Sequence, residues 1–160
     1  MVFARTSKAA ARLSEKIRNG QMEKIYLAVV NGIPTKTKGR LVDYLLKDTE
    51  KNKVSVVSSG ARGAKEAVLD YEVLSSKDNL SLVKIVLHTG RAHQIRVQLS
   101  NMGHPIYGDR KYGATGQGTD VALYAAKLSF THPVGDNKLL TFKSYPVSQF
   151  PWDKFNLRLV

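Results

Sequence analysis

Eight consecutive residues, Thr89-Gly90-Arg91-Ala92-His93-Gln94-Ile95-Arg96, hold the densest hydrogen-bonding and titratable chemistry in this 160-residue chain. They lie where an alternating apolar run gives way to helical spacing, so a strand is expected to hand over to a helix N-terminus there. Unpaired N–H groups of a first helical turn, with two guanidiniums beside them, suit an anion such as a phosphate or a carboxylate. The same residues also suit a purely structural use, with Arg91 and Arg96 paired to acids and His93 closing the turn. His88 and His93 stand five apart with no acid between them, which is not zinc-ligand spacing. No Gly-x-Gly-x-x-Gly, Walker or Gly-x-Ser-x-Gly pattern occurs, and there is no cysteine for a thiolate or a disulfide. What remains is a reaction needing neither cofactor nor metal, or simple binding.

The elements that must position this cluster follow from periodicity. Thr6 is placed to cap a helix over about 7–19, with Ala10, Leu13 and Ile17 on one stripe and Gly20 at the left-handed end. Lys24 to Asn31 reads as a strand buried on both faces, with Tyr26 as its polar tip, and Gly32-Ile33-Pro34 breaks it. The stretch 35–53 is polar and reads as an excursion docked over the surface. Strands are expected at 53–58, 65–74 and 80–88, the last two an antiparallel pair turned by Ser75 to Asn79. Residues 92–102 return to helical period, so His93, Arg96 and Ser100 share a face away from Ile95, Leu99 and Met102. A loop from His104 to Gly118 follows, then strands at 121–130 and 138–143 joined by a turn at Pro133 to Asn137. No repeat or linker interrupts the pattern.

Bulk composition narrows the partner. Lys and Arg number 25 against 13 Asp and Glu, a formal charge of +12. Such a field concentrates polyanions, and the charges run from Arg5 to Arg158 rather than in a tail, as on one face of a folded nucleic-acid-binding domain. The longest apolar runs, such as Tyr26–Val30 and Val121–Ala126, fall far short of the ~20 residues that span a bilayer, and no signal-peptide pattern opens the sequence. Neither membrane association nor export is expected.

Longer stretches carry a resemblance. His88-Thr-Gly-Arg-Ala-His-Gln-Ile-Arg-Val-Gln-Leu99, then Gly103-His-Pro-Ile-Tyr-Gly-Asp109 and Tyr112-Gly113, resembles the signature of the RluA/RluD-type RNA pseudouridine synthases. In the same order come Phe3-Ala-Arg-Thr6, Lys24-Ile-Tyr26-Leu-Ala28, Gly32, Ala67 to Tyr71, Leu123-Tyr-Ala125, Phe130-Thr-His-Pro133 and Phe142 to Trp152. The resemblance implies one domain over 1–160, the C-terminal part of an α+β catalytic domain with a mixed, mostly antiparallel sheet and a few packed helices. It implies isomerisation of uridine to pseudouridine in structured ribosomal or transfer RNA, no cofactor, no metal and a cytoplasmic protein. It makes Tyr26 the active-site tyrosine against the flipped base and Arg96 the partner of a catalytic aspartate, with Thr89, Gly90, Arg91, His93 and Gln94 toward RNA or substrate.

One departure is large: the family's aspartate lies in an Arg-Leu-Asp motif shortly before the segment resembling Val2-Phe3-Ala4, and these 160 residues hold no such motif. By motif, Asp109 and the other aspartates replace nothing catalytic. The expectation is a chain inactive alone, or a non-catalytic RNA-binding remnant of the same fold. Arg96 is then expected to lack its carboxylate, and the chain to self-associate through an open sheet edge. Leu69, Gln98 and Tyr124 are lesser departures, expected to touch strand packing or pocket edges.

Overall fold

The computed structural model of the chain describes residues 2–114, 120–134 and 138–157. Helix α1 (Ser7–Arg18) starts where Thr6 Oγ1 accepts the Ala9 N–H at 3.2 Å. It ends in a Schellman pair of bonds, Gly20 N–H to the Ile17 carbonyl and Gln21 N–H to that of Lys16, and the positive φ of Gly20 (67°) permits it. None of its residues is buried. Lys16, reaching Thr131 Oγ1 at 2.6 Å, helps tie it down.

Seven strands follow, β1 (Met22–Asn31), β2 (Lys38–Asp48), β3 (Lys53–Val57), β4 (Lys65–Lys77), β5 (Leu80–Leu87), β6 (Leu123–Thr131) and β7 (Leu139–Lys143), with helix α2 (Gln94–Asn101) between β5 and β6. They form one sheet in the order β3-β2-β4-β5-β1-β6-β7, antiparallel at every pairing among the described residues. The α+β architecture is therefore the expected one. The excursion expected over 35–53 is instead β2, all eleven residues of which face β3 or β4. Its alternation is blurred because Val42 and Leu46, on the face away from Leu45, stay exposed, so no apolar-polar beat marks it. The hairpin turn expected over Ser75 to Asn79 shrinks to Asp78-Asn79, with both residues at positive φ. Part of the turn expected at Pro133 to Asn137, and of the loop ending at Gly118, lies outside the described residues.

Leu27, Ala28, Val29 and Val30 are wholly inaccessible, so β1 is the spine of the sheet between β5 and β6. Each buried Leu or Val adds ~1.5–3 kcal/mol. Both faces need cover. Opposed residues share a face, and on one face Ala28, Val83, Ile85 and Leu69 join a core cluster with Ile95 and Leu99 of α2. On the other, Tyr124 lies opposite Leu27 and meets the Trp152 ring edge-on at 6.5 Å. Leu69 is fully buried, and Gln98 donates to Asp43 Oδ2 and to the Ala67 carbonyl, so both departures serve packing of α2 on the sheet.

The edges differ. At β3 the outer side is covered: Val54 N–H donates to Tyr112 Oη at 3.0 Å and Lys111 Nζ to the Asn52 carbonyl at 2.5 Å. At β7 Leu139 and Phe142 are 65% and 54% exposed. Residues 104–109 close the opposite end of β1, Tyr107 N–H bonding the Val29 carbonyl. There Gly108 has φ of 78°, and a Cβ on it would stand 2.1 Å from the Asp120 carbonyl oxygen. Gly108→Ala therefore combines a left-handed backbone with a backbone clash and is expected to cost about 2–4 kcal/mol in urea unfolding. A loss below 1 kcal/mol, roughly the cost of the conformation alone, would mean the loop moves aside.

Candidate active site

Tyr26 lies midway along β1 opposite Ile85 and Ala125, beside a bulge where the β1–β6 register slips after Ile25. It opens on a cleft of about 460 Å³ with apolar walls including Ala125, Leu128 and Phe142 and a cationic rim of Lys24, Lys127 and Lys143. Half-buried, its phenol is pushed above the ordinary tyrosine pKa by desolvation, so the hydroxyl is neutral near pH 7. Desolvation likewise lowers the Lys24 amine. Lys24 is two residues from Tyr26 on the same face, and its Nζ stands 3.8 Å from where a Cβ on Gly90 would be. It thereby joins the tyrosine cleft to the Thr89–Arg96 turn.

Within that turn the inward residues are consumed by structure. Thr89 Oγ1 accepts the Val68 N–H at 2.8 Å and donates to Gln94 Oε1 at 2.8 Å; Gln94 Oε1 also accepts the Arg91 N–H, and its Nε2 donates to the Val68 carbonyl. Gln94 is 2% exposed. Thr89 and Gln94 thus lock the strand–helix junction to β4, while Gly90 and Arg91 remain exposed. Arg91 Nε bonds the Glu66 carbonyl, not an acid.

His93, Arg96 and Ser100, the stripe expected from helical spacing, all grip Tyr112. His93 Nδ1 lies 2.8 Å from Tyr112 Oη, the Arg96 guanidinium stands 5.0 Å over its ring, and Ser100 Oγ donates to its carbonyl at 2.6 Å. The expectation that Arg96 lacks a carboxylate is overturned: Nε and Nη2 each donate to Asp109 at 2.7 Å, and the Asp109 side chain is wholly buried. Hydrogen bonding to Asp109 raises the Arg96 pKa further. The bond runs across thirteen residues and a loop, a separation that no local spacing reveals; the Gly-Asp turn was its sole sequence signal. Arg96 is not among the residues lining the Tyr26 cleft. His88, in turn, pairs with Asp70, which Arg40 grips with two bonds. Arg40 first, then His88, holds Asp70 well below the usual carboxylate range.

His93 heads α2 in the left-handed region (φ 51°). Because Tyr112 Oη already accepts the Val54 N–H and is buried, its own proton is satisfied only when Nδ1 accepts it, which puts the ring proton on Nε2. Partial burial, then the charges of Arg96, Lys111 and Lys47, lower the His93 pKa; Asp109 alone opposes them. A histidine whose folded pKa lies below its unfolded one stabilises the fold above about pH 6.5, and that contribution shrinks as pH falls. We expect an imidazole NMR titration to show the Nε2–H tautomer persisting below pH 6.5, and His93→Ala to flatten the loss of thermal stability toward pH 5. A midpoint above 6.5 would contradict the arrangement.

The profile of the family described as RNA pseudouridylate synthase matches residues 1–101, which include β1, β5 and all of α2. The chain belongs to that family. It is 33% identical over 150 residues to ribosomal large subunit pseudouridine synthase D of Zymomonas mobilis, covering 87% of this chain and 46% of that protein. It is also 33% identical to the uncharacterized RNA pseudouridine synthase YhcT of Bacillus subtilis, over 91% of this chain and 48% of the relative. The chain thus spans about half the length of these curated relatives. Human RNA pseudouridylate synthase domain containing 1 superposes with a TM-score of 0.74 at 23% identity, over 92% of this chain and 64% of the other. At that identity the likeness is one of fold. Among the described residues no helix is long and apolar enough to cross a membrane.

Proposed function

We propose that the chain carries the base pocket of an RNA pseudouridine synthase acting on uridine in ribosomal or transfer RNA. The observation supporting this is the Tyr26 cleft: apolar walls suit a flipped base, a lysine rim suits the phosphates on either side, and a neutral phenol stands between. The glycosidic C–N bond breaks, uracil turns, a C–C bond forms and the C5 proton leaves. Tyr26 is the family's tyrosine beside that proton. Asp109 uses two of the five Arg96 N–H groups, and those on Nη1 remain for a second carboxylate. Thr89 and Gln94 serve by shaping the junction, whereas Arg91 and His93 offer groups to RNA.

The 160 residues contain no Arg-Leu-Asp motif, so the polypeptide alone is expected to leave C5-tritiated uridine RNA at blank level. Preceding it with the Arg-Leu-Asp-bearing segment of a relative is expected to give tritium release. Release by the 160 residues alone would overturn the role given to that carboxylate; a joined protein that binds RNA and stays at blank would favour a non-catalytic RNA-binding protein. The exposed β7 edge also fits self-association, read as dimer in sedimentation and abolished by Leu139→Lys with Phe142→Lys.

A further inference from the structure

A second groove, outside the Tyr26 cleft, brings together three cations that no described acid pairs with. It measures about 420 Å³ and is lined by Leu45, Lys47, Val54, Lys65, Gly90 and Arg91, among others. The sheet register explains why they meet. Lys65 on β4 lies opposite Leu45 on β2, and Lys47 lies two residues further along that face. Lys24 occupies the same face at the same end of the sheet, since β1 and β4 both begin there against the C-terminal end of β5. The turn carrying Gly90 and Arg91 leaves β5 at this end too.

Five described cations elsewhere have acids: Arg40 with Asp70, Lys84 with Glu72, Arg96 with Asp109, Lys127 with Glu23 and Lys154 with Asp78. Among the described residues, no ion pair engages Lys47, Lys65 or Arg91. The nearby acids do not fill the gap. Asp48 accepts the Lys51 N–H, the Glu66 carboxylate lies 3.4 Å from Tyr44 Oη, and Asp109 is already taken by Arg96. The positive field is felt at His93, whose protonation Arg96, Lys111 and Lys47 all oppose. Unpaired lysines round a groove are costly to hold together unless an anion enters.

We propose that this groove binds the phosphodiester backbone of the RNA strand on one side of the target uridine, with Lys24 bridging it to the Tyr26 cleft. The inference rests on the reading of the chain as an RNA-modifying protein. From β1 to β2 is three strand spacings, ~14 Å, or about four stacked nucleotides at ~3.4 Å each. A strand whose base enters the tyrosine cleft therefore passes the second groove within a few nucleotides. Lys47 and Lys65 act as point charges on phosphate, so they contribute affinity and strand path but no base choice.

The test is the salt dependence of binding to a short single-stranded oligouridylate, measured on the chain and two double variants. Lys47→Glu with Lys65→Glu is expected to weaken binding about tenfold or more at low salt and to reduce the slope of log affinity against log salt by about 1.4, two phosphates at ~0.7 each. Lys38→Glu with Lys77→Glu changes net charge equally at the opposite end of the sheet and is expected to leave the slope unchanged. The neutral pair Lys47→Gln with Lys65→Gln, with an unaltered melting temperature, is expected to reproduce the smaller slope and guards against misfolding. Equal slopes for the two reversed pairs, or an unchanged slope in the first, would overturn the groove while leaving the RNA reading intact. No binding by the unaltered chain would overturn both.

Discussion

Arg96→Ala is expected to destabilise the chain by about 3–5 kcal/mol, because it strands a buried carboxylate whose two strongest bonds came from that guanidinium. The Asp109 side chain has no exposed surface and cannot turn to water. Against a typical stability of roughly 5–15 kcal/mol, such a loss takes much of the margin. Asp109→Asn is expected to cost less, about 1–3 kcal/mol, since Arg96 is 22% exposed and its freed N–H groups can reach solvent. Arg96→Lys is expected to resemble alanine more than wild type, because an ammonium lacks the planar fork that spans both carboxylate oxygens and stacks on Tyr112. Urea unfolding of the two single variants and the double variant gives the coupling directly. An Arg96→Ala loss under 1 kcal/mol would mean the pair is weaker than its geometry. A loss of that size would make Arg96 a residue of the fold as well as the proposed partner of the catalytic aspartate.

Tyr26→Phe is expected to reduce turnover about a hundredfold or more in a version bearing the Arg-Leu-Asp segment, with RNA affinity changed less than twofold. The ring and its cleft walls stay, so stacking persists; the hydroxyl goes, and with it a proton-transfer group of the kind typically worth 10²–10⁴-fold. Burial holds the phenol neutral, so a phenolate base is scarce at neutral pH. If phenolate removes the C5 proton, single-turnover rate climbs with pH across the neutral range and Phe abolishes the climb. Equal loss of binding and turnover would place Tyr26 in RNA docking instead.

The sequence made β1, β3, β4, β5, β6, β7 and both helices legible because each carries a period of its own or a cap such as Thr6 or Gly20. It hid β2, whose Val42 and Leu46 sit on an uncovered face and whose Leu41 and Leu45 sit on the covered one, so apolar residues fall on both. The site was legible where its residues are contiguous. Thr89 to Arg96 announces a tight junction, yet only the fold shows Thr89 and Gln94 turned inward to Val68. Asp109, Tyr112, Lys47 and Lys65 escaped because their use depends on loops and strands meeting across long separations. Lys24 was within reach, since alternation already puts it on the face of Tyr26.

The place of β1 in the sheet has a consequence for how the chain emerges from a ribosome. It is made before the other six strands described, yet both its neighbours come late: β5 begins about 50 residues after β1 ends, and β6 later still. At ~5–20 residues per second, Leu27 to Val30 wait roughly 3–10 s with both hydrogen-bonding edges open. The β3–β2–β4 unit, whose three strands all lie within residues 38–77, can close in that interval, but the spine cannot. Nascent chains should therefore be most vulnerable to aggregation between completion of β1 and arrival of β5, and stalled chains ending near residue 75 should bind chaperones more than those ending near residue 131.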